Sequence, residues 1–172
     1  MEKWRLSGMT RRPSYMNLDT EHTFVTSDHH FGLGTKEEED ELVRKWNSVV
    51  GPNDTVIYAG DFADCCFLDM VEYRKRLNGE MILVKGNHDN LPDEAYLAIF
   101  KEVYDRLVLQ DLGIFVCHCP DSEYAGPLKQ IYGHLHEGGM FNEIPPEKGF
   151  CVCVMRHDGY PVRLDNILEK LE

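Results

Sequence analysis

Short apolar runs alternate with amphipathic segments along the chain from Thr23 onward. The apolar runs have the length and composition of β-strands, and the segments between them repeat apolar residues at helical spacing. The predicted strands of this half are 23–28, 54–61 and 80–89, and the predicted helices are 37–50, 69–77 and 93–104. Such an alternation is typical of an α/β sheet.

The first of these helices gives the clearest helical signal. Thr35 followed by Glu38 has the spacing of a capping box at the start of a helix. Leu42 and Trp46 then follow four residues apart, and the apolar spacing continues one turn further. We therefore expect a helix that packs this apolar face on the sheet.

The second half of the chain differs, because strand-like runs lie close together and a helical pattern returns only at the end. The predicted strands are 106–112, 113–118, 130–136, 150–157 and 160–164, and the closing helix is 164–172. Asp158 and Gly159 have the composition of a hairpin turn between the last two strands. Residues 1–21 are polar and lack periodicity, so we predict an N-terminal tail followed by a single domain over 22–172.

Composition and charge narrow the class of protein. The 172 residues suffice for one domain with its own core, and a content of 42% hydrophobic and 28% charged residues is that of a folded globular protein. The formal net charge of −12 argues against a general nucleic-acid binder, because an acidic surface repels phosphate backbones. No stretch has the length of a membrane span, and the N-terminus lacks the apolar segment of a secretory signal. We expect a cytoplasmic protein without membrane contact.

The six cysteines raise the question of disulfides or zinc. They form three close pairs: Cys65 and Cys66, Cys117 and Cys119, and Cys151 and Cys153. Structural zinc sites favour two residues between paired cysteines, so these spacings fit small buried thiols better than a zinc site. We expect reduced cysteines in a reducing compartment.

Residues able to bind metal recur at the ends of five predicted strands. They are Asp28 with His30, Asp61, Asn87 with His88 and Asp89, His118, and His134 with His136. Ligands gather at the carboxyl ends of strands in α/β sheets, so these segments are expected to converge although they are far apart in sequence. Each motif alone fits a turn or a surface loop equally well. The ordered set of five favours a metal site.

The motifs SDHH, GD, GNHD, the isolated His118 and GHLH together resemble the motif set of the calcineurin-like metallophosphoesterase superfamily over about residues 23–165. The resemblance implies an α/β fold, a four-layer α-β-β-α sandwich of two mixed β-sheets flanked by helices, with two metal ions at the sheet edge. It implies one metal held by Asp28, His30 and His136, a second held by Asn87, His118 and His134, and Asp61 bridging both. It further implies that His88 is the catalytic histidine and that Asp89 orients it.

This set of side chains suits phosphate chemistry. Imidazole, carboxylate and amide ligands without thiolate are compatible with two divalent transition metal ions, with manganese as our first expectation and iron, zinc, nickel or cobalt as alternatives. Such ions acidify water, so we expect a metal-bound hydroxide to attack phosphorus directly, without a phosphoenzyme. His88 would stabilise the developing charge or protonate the leaving group.

The sequence therefore predicts a hydrolase of phosphodiesters or phosphomonoesters that acts on a small phosphate ester, for which a nucleotide-derived compound is one option. The alternative is a non-enzymatic metal-binding scaffold with the same fold. A scaffold would show erosion of the catalytic histidine or of the ligands, and all of these residues are present. The acidic balance disfavours a nuclease, and the oligomeric state stays open.

Three neighbours of the predicted ligands receive structural roles. His29 lies between Asp28 and His30, so an extended backbone points its side chain to the opposite face. Cys117 and Cys119 flank His118 in the same way, and we expect both to pack in the core behind it.

Overall fold

The computed structural model describes residues 10–11, 18–121, 125–136 and 144–172, the first two by their backbone. The strands are β1 (Thr10–Arg11), β2 (Thr23–Thr26), β3 (Thr55–Tyr58), β4 (Glu80–Val84), β5 (Glu102–Tyr104), β6 (Leu107–Leu109), β7 (Ile114–Cys117), β8 (Lys129–Tyr132), β9 (Gly149–Cys151) and β10 (Val162–Arg163). The α-helices are α1 (Lys36–Val49), α2 (Phe67–Arg76), α3 (Asp93–Tyr96) and α4 (Leu164–Leu171). Within these described ranges, no helix is both long and apolar enough to cross a membrane.

The strands form two five-stranded mixed sheets. The first sheet has the order β10-β2-β3-β4-β5, with β10 antiparallel to β2 and the other neighbours parallel. The second sheet has the order β1-β6-β7-β8-β9, with β6 antiparallel to β7 and the other neighbours parallel. The predicted α/β fold of two mixed sheets flanked by helices is thus confirmed.

The two faces of the first sheet bury different sets of side chains, as the alternation along β3 illustrates. Val56 and Tyr58 belong to the core under α1 and α2. Ile57 points the other way and joins the core between the two sheets, where it meets residues of β6 to β8 and of α4. Because both faces are covered, the strand sequences of this sheet are almost continuously apolar.

The predicted capping box of α1 is present. The Thr35 hydroxyl accepts a hydrogen bond from the backbone N–H of Glu38, and the Glu38 carboxylate accepts one from the backbone N–H of Thr35. On the buried face, Trp46 is fully covered and donates its ring N–H to the Asn78 carbonyl oxygen at 3.0 Å. The helix therefore has a fixed start and packs on the sheet as predicted.

The predicted third helix over 93–104 is wrong in its second half. The helix ends at Tyr96, and residues Glu102–Tyr104 instead form β5, paired in parallel with β4. Tyr96 and Phe100 are both buried and stand four residues apart, which explains the helical pattern in the sequence. The free edge of β4 takes the following residues as a strand, and this pairing outweighs the local helical spacing.

The predicted hairpin around Asp158 and Gly159 is also wrong. Strand β9 belongs to the second sheet and β10 to the first, so the two strands do not pair with each other. The connection is a 3₁₀ helix, Val154–His157, followed by two residues with positive φ. Asp158 and Gly159 do lie in a turn, but the chain uses this turn to pass from one sheet to the other.

Part of the predicted N-terminal tail lies in residues 1–9 and 12–17, outside the described residues. Within the tail, Thr10–Arg11 pair in parallel with β6 at the edge of the second sheet. Thr20–His22 form a 3₁₀ helix, at whose start the Asp19 carboxylate accepts a hydrogen bond from the Glu21 N–H. The division into a tail and one domain stays a prediction.

Candidate metal centre

The carboxyl ends of strands from both sheets meet at one edge of the molecule. Asp28 and His30 follow β2, Asp61 follows β3, Asn87, His88 and Asp89 follow β4, His118 follows β7, and His134 and His136 follow β8. An isolated bridge between Ser27 and Cys153 joins the two sheets here, and the His134 N–H donates to both carboxylate oxygens of Asp28. The structure therefore brings the nine predicted site residues to one edge.

The backbone at this edge is strained. Four predicted ligands have left-handed φ values: Asp28 (62°), His30 (47°), Asp61 (58°) and His134 (66°). Among the described residues, one further non-glycine residue, Asp158, has a positive φ. Such conformations cost about 1–3 kcal/mol each and persist where the surrounding structure imposes them. Their concentration here marks a site at which geometry is kept at the expense of stability.

Two glycines allow the strand ends to approach closely. A Cβ atom on Gly86 would stand 2.1 Å from an oxygen of Asp61. A Cβ atom on Gly133 would stand 2.5 Å from the Ser27 hydroxyl and 2.6 Å from an oxygen of Asp28. Any side chain at either position would displace a predicted ligand, so glycine is required at both.

The first group of predicted ligands surrounds Asp28. Its Oδ1 lies 3.5 Å from Nε2 of His136 and 4.0 Å from Nε2 of His30. Nε2 of His30 also lies 3.8 Å from Oδ2 of Asp61. One ligand atom each from Asp28, His30 and Asp61 falls within 4.8 Å of the others, as expected for residues that bind one ion. Both carboxylates are only 2% exposed.

The second group surrounds His118. Its Nδ1 lies 2.9 Å from the carbonyl oxygen of Ala59, and because a carbonyl only accepts, Nδ1 carries the proton. In the neutral ring, Nε2 then presents a lone pair to three other polar atoms. These are Oδ2 of Asp61 at 3.1 Å, Oδ1 of Asn87 at 3.0 Å and Nδ1 of His134 at 3.2 Å.

Acceptors held this close repel one another unless a cation lies between them. Burial alone would disfavour a charged His118, yet its contacts with Asp61 outweigh burial and raise the pKa of the imidazole. A cation bound at this point would relieve that repulsion. The donor set of imidazole nitrogens, carboxylates and an amide oxygen equally fits a divalent transition metal.

Asp61 lies between the two groups. Its Oδ2 faces both His30 and His118, while its Oδ1 accepts a hydrogen bond from the His88 N–H at 2.8 Å. Burial would raise the pKa of the Asp61 carboxyl, but the contacts with His118 and His88 lower it. The residue is thus ionised and central, the position that a bridging ligand needs.

Asp64 is a site residue that the sequence analysis missed. Its two carboxylate oxygens each accept from an imidazole Nδ1, that of His30 at 2.6 Å and that of His88 at 2.7 Å. Both rings therefore turn Nε2 toward the centre or the solvent. Asp64 lies beyond the strand end, so its position carried no signal, although its spacing of three residues from Asp61 places a second carboxylate on the same loop.

The prediction that Asp89 orients His88 is corrected by these contacts. The Asp89 carboxylate accepts hydrogen bonds from the backbone N–H groups of Asp61, Phe62 and Gly86, at 2.7 to 3.3 Å. It thus ties the loop after β3 to the loop after β4, and burial raises its pKa despite these bonds. Orientation of the His88 ring falls to Asp64, and that hydrogen bond raises the pKa of His88.

His29 has the structural role that the sequence predicted. Its ring is buried in the core, stacks on Phe31 and meets Trp46 edge to face. Nδ1 lies 2.6 Å from the Tyr58 hydroxyl. Burial lowers the pKa of His29 to about 3, so the ring is neutral.

The predicted packing of the two cysteines around His118 is half right. Cys117 is buried in the core on the outer face of the second sheet. Cys119 is exposed instead, and it lines a cavity of about 480 Å³ beside Asn87 and His118. The chain leaves the strand at His118, so the alternation of faces that the prediction assumed ends there.

This chain is similar in sequence to a known protein family and to an uncharacterised protein. A family model described as calcineurin-like phosphoesterase matches residues 22–139. An uncharacterised protein of Methanocaldococcus jannaschii is 27% identical over 179 residues, which cover 95% of this chain and 94% of that protein. The match to the family model thus spans the loops that carry all the candidate ligands.

Two solved structures are similar in fold. A protein of unknown function from Aquifex aeolicus superposes with a TM-score of 0.65 at 24% identity, covering 87% of this chain and 98% of that one. A nuclease, MPE, of Pseudomonas putida superposes with a TM-score of 0.46 at 21% identity, covering 67% of this chain and 61% of that one. The first likeness extends over nearly the full length of both chains.

Proposed function

Because this chain belongs to the calcineurin-like phosphoesterase family, we propose that it is a hydrolase of phosphomonoesters or phosphodiesters that works with two metal ions at the edge described above. The resemblance that the sequence motifs indicated is thereby confirmed at the level of the family. The number of metals, the roles of the residues and the substrate are our proposals, and each rests on the geometry of the centre.

One observation carries the proposal. Oδ2 of Asp61 lies 3.1 Å from Nε2 of His118 and 3.8 Å from Nε2 of His30, so a single buried carboxylate faces both groups of ligands. A shared carboxylate lowers the repulsion between two neighbouring cations. Asp28, His30 and His136 would hold one ion, and Asn87, His118 and His134 the other, with Asp61 common to both.

The bound metals would supply Lewis acidity, which activates water for in-line attack on phosphorus and neutralises charge on the phosphoryl oxygens. The protein's own part is to keep the ligands in place. Ala59 fixes the tautomer of His118, and Asp64 fixes the ring of His30 through Nδ1. Hydrogen bonds of this kind orient a ligating imidazole and increase its basicity.

The exposure and the raised pKa of His88 support its role as a general acid. Its side chain is 44% exposed, so Nε2 is open to a substrate, while Nδ1 is paired with Asp64 at 2.7 Å. The hydrogen bond to Asp64 raises the pKa of His88, which favours the protonated ring near neutral pH. A protonated imidazole beside the metals would donate its proton to the leaving oxygen.

The surroundings favour a small substrate. The cavity next to Asn87 and His118 has a volume of about 480 Å³. Its lining includes two basic side chains that are paired with aspartates, Lys85 with Asp105 and Arg106 with Asp121. A space of this size would fit a small phosphate ester, for which a nucleotide-derived compound is one option. Manganese is the metal proposed first, and the complete ligand set argues against a scaffold without activity.

Replacement of the shared carboxylate tests the proposal. Asp61→Ala should lose metal from both sites and reduce hydrolysis of aryl phosphomonoesters and phosphodiesters to background. Elemental analysis of the purified protein and assays after reconstitution with each candidate metal measure the two effects. Asp111→Ala, at an exposed aspartate outside the site, is the matched control. Two metals retained in Asp61→Ala, or a wild type inactive with every metal, would refute the proposal.

A further inference from the structure

A buried thiol lies at the edge of the candidate metal centre. Cys153 follows β9 by two residues, and an isolated parallel bridge pairs it with Ser27, next to Asp28. The N–H of Val154 donates to the Ser27 carbonyl oxygen at 3.1 Å and fixes this register. The Cys153 side chain has no solvent exposure.

The thiol belongs to a cluster of three groups from three segments of the chain. The sulfur of Cys153, a carboxylate oxygen of Asp28 and a ring nitrogen of His136 all lie within 4.8 Å of one another. Within this cluster, Nε2 of His136 lies 3.5 Å from Oδ1 of Asp28. Ligand atoms of one zinc ion stand roughly 3–4.5 Å apart, given bond lengths of about 2.0–2.3 Å. Small rotations of these side chains would bring them all onto one ion.

We propose that Cys153 is a thiolate ligand of the metal ion that Asp28 and His136 hold. The inference rests on the metal centre of the proposed function and adds a residue to it. On binding, the thiol releases its proton to solvent and the sulfur binds the cation as a thiolate. A soft sulfur ligand favours zinc or iron over manganese and magnesium, so at this one site zinc or iron would replace the manganese that the other ligands alone suggest.

Cys119 provides the matched control. One ligand atom of this residue lies within 4.8 Å of His118 and of His134, in the other group. In contrast to Cys153, Cys119 is exposed, so solvent is available to its thiol. The two variants Cys153→Ser and Cys119→Ser each remove one thiol beside one site, with the same change of atom.

Cobalt(II) is the probe for the thiolate, because a bond from sulfur to cobalt gives an intense charge-transfer absorption in the near ultraviolet. The cobalt-loaded wild type should show this band, Cys119→Ser should keep it, and Cys153→Ser should lose it. In competition titrations, Cys153→Ser should weaken zinc binding at one site by at least about tenfold. Manganese binding should change much less.

The cobalt experiment can overturn the assignment of Cys153 as a ligand. A cobalt-loaded wild type without the band, or a band that keeps its full wild-type intensity in Cys153→Ser, would show that Cys153 is not a ligand, while the proposed hydrolase would stand if activity is present. A protein that binds no cobalt would refute both proposals. If Cys153→Ser does not fold, X-ray absorption of the zinc-loaded wild type decides, since a ligated thiolate gives a sulfur shell at about 2.3 Å.

Discussion

His29 and His30 are neighbours in the chain and lie in opposite environments. His29 is 7% exposed and packs among aromatic rings under α1, where burial lowers its pKa to about 3. The His30 ring stands at the sheet edge, with Nδ1 on Asp64 and Nε2 facing Asp28 and Asp61. One histidine serves the fold as a neutral aromatic group, and the other serves the site.

Partner groups, more than residue type, decide what each of these two histidines does. Among the residues that the structure describes, the Tyr58 hydroxyl is the hydrogen-bond partner of the His29 ring, and no carboxylate is bonded to that ring. The His30 ring is bonded to the Asp64 carboxylate through Nδ1 at 2.6 Å and faces the Asp28 carboxylate with Nε2 at 4.0 Å. These two carboxylates come from loops that follow two different strands. Contacts between loops therefore assemble the surroundings of His30, which we call the site face. The alternation of side chains along the backbone already places His29 in the core, which we call the core face.

The largest effect on the site face should come from His88, which adjoins His30 at a ring-centroid distance of 4.9 Å. His88→Ala should lower kcat for a phosphodiester by about 10²–10⁴-fold, the range expected for loss of a general acid. Two metals per chain should remain, because His88 is not among the proposed ligands. Steady-state kinetics together with elemental analysis measure both quantities.

Asp64→Asn is the companion variant. It keeps the size of the side chain but weakens the hydrogen bonds that hold His30 and His88 by Nδ1. A loss of activity of roughly 10–100-fold is expected, with weaker metal binding through His30. Wild-type turnover in His88→Ala would contradict the catalytic role, and unchanged activity in Asp64→Asn would contradict the orienting role.

On the core face, His29 should make the protein sensitive to acid. Its ordinary pKa of 6.5 applies to the unfolded chain, and its folded pKa is about 3. Between these pH values the unfolded chain binds a proton at His29 that the folded protein does not bind. The contribution of His29 to the free energy of unfolding is therefore complete above pH 6.5 and is lost as the pH falls from 6.5 to about 3. This group alone contributes a slope of about 1.4 kcal/mol per pH unit.

His29→Phe removes that proton while it keeps an aromatic ring in the core. At neutral pH the variant should be less stable by about 1–3 kcal/mol, because the Tyr58 hydroxyl loses a partner. Urea unfolding from pH 7 to pH 4 should then show a shallower loss of stability than in the wild type. Parallel curves for the two proteins would show that His29 is not the acid-sensitive group.

The same contrast explains how far the sequence could predict the molecule. The strands of the first sheet and α1 follow from local patterns, since their side chains alternate or repeat toward a core that is covered on both sides. Local patterns do not predict β5 or the link from β9 to β10, because the free edge of β4 and the placement of strands in two sheets are not local properties.

The residues of the site also divide into those that the sequence predicts and those that it does not. The nine predicted residues all reach the sheet edge because strand ends are visible in the sequence. The sequence gives no signal for Asp64 and predicts only a buried thiol for Cys153. Both residues lie in loops whose direction depends on contacts between the sheets. The partner of Asp89 was misassigned for this reason, because a neighbour in sequence was chosen where backbone N–H groups of another loop bind it.

The smallest effect should come from Asp158, whose φ of 50° gives it the same backbone conformation as the ligands but away from the centre. Its carbonyl oxygen accepts from the Lys45 ammonium at 2.6 Å, a bond that needs no side chain. Asp158→Gly relieves the left-handed strain and adds chain entropy to the unfolded state, so stability should change by less than about 1 kcal/mol. Activity should be unchanged in kinetic assays. A loss of activity in this variant would mean that a left-handed residue outside the sheet edge also supports the metal centre. The contrast between the sheet edge and the rest of the protein would then fail.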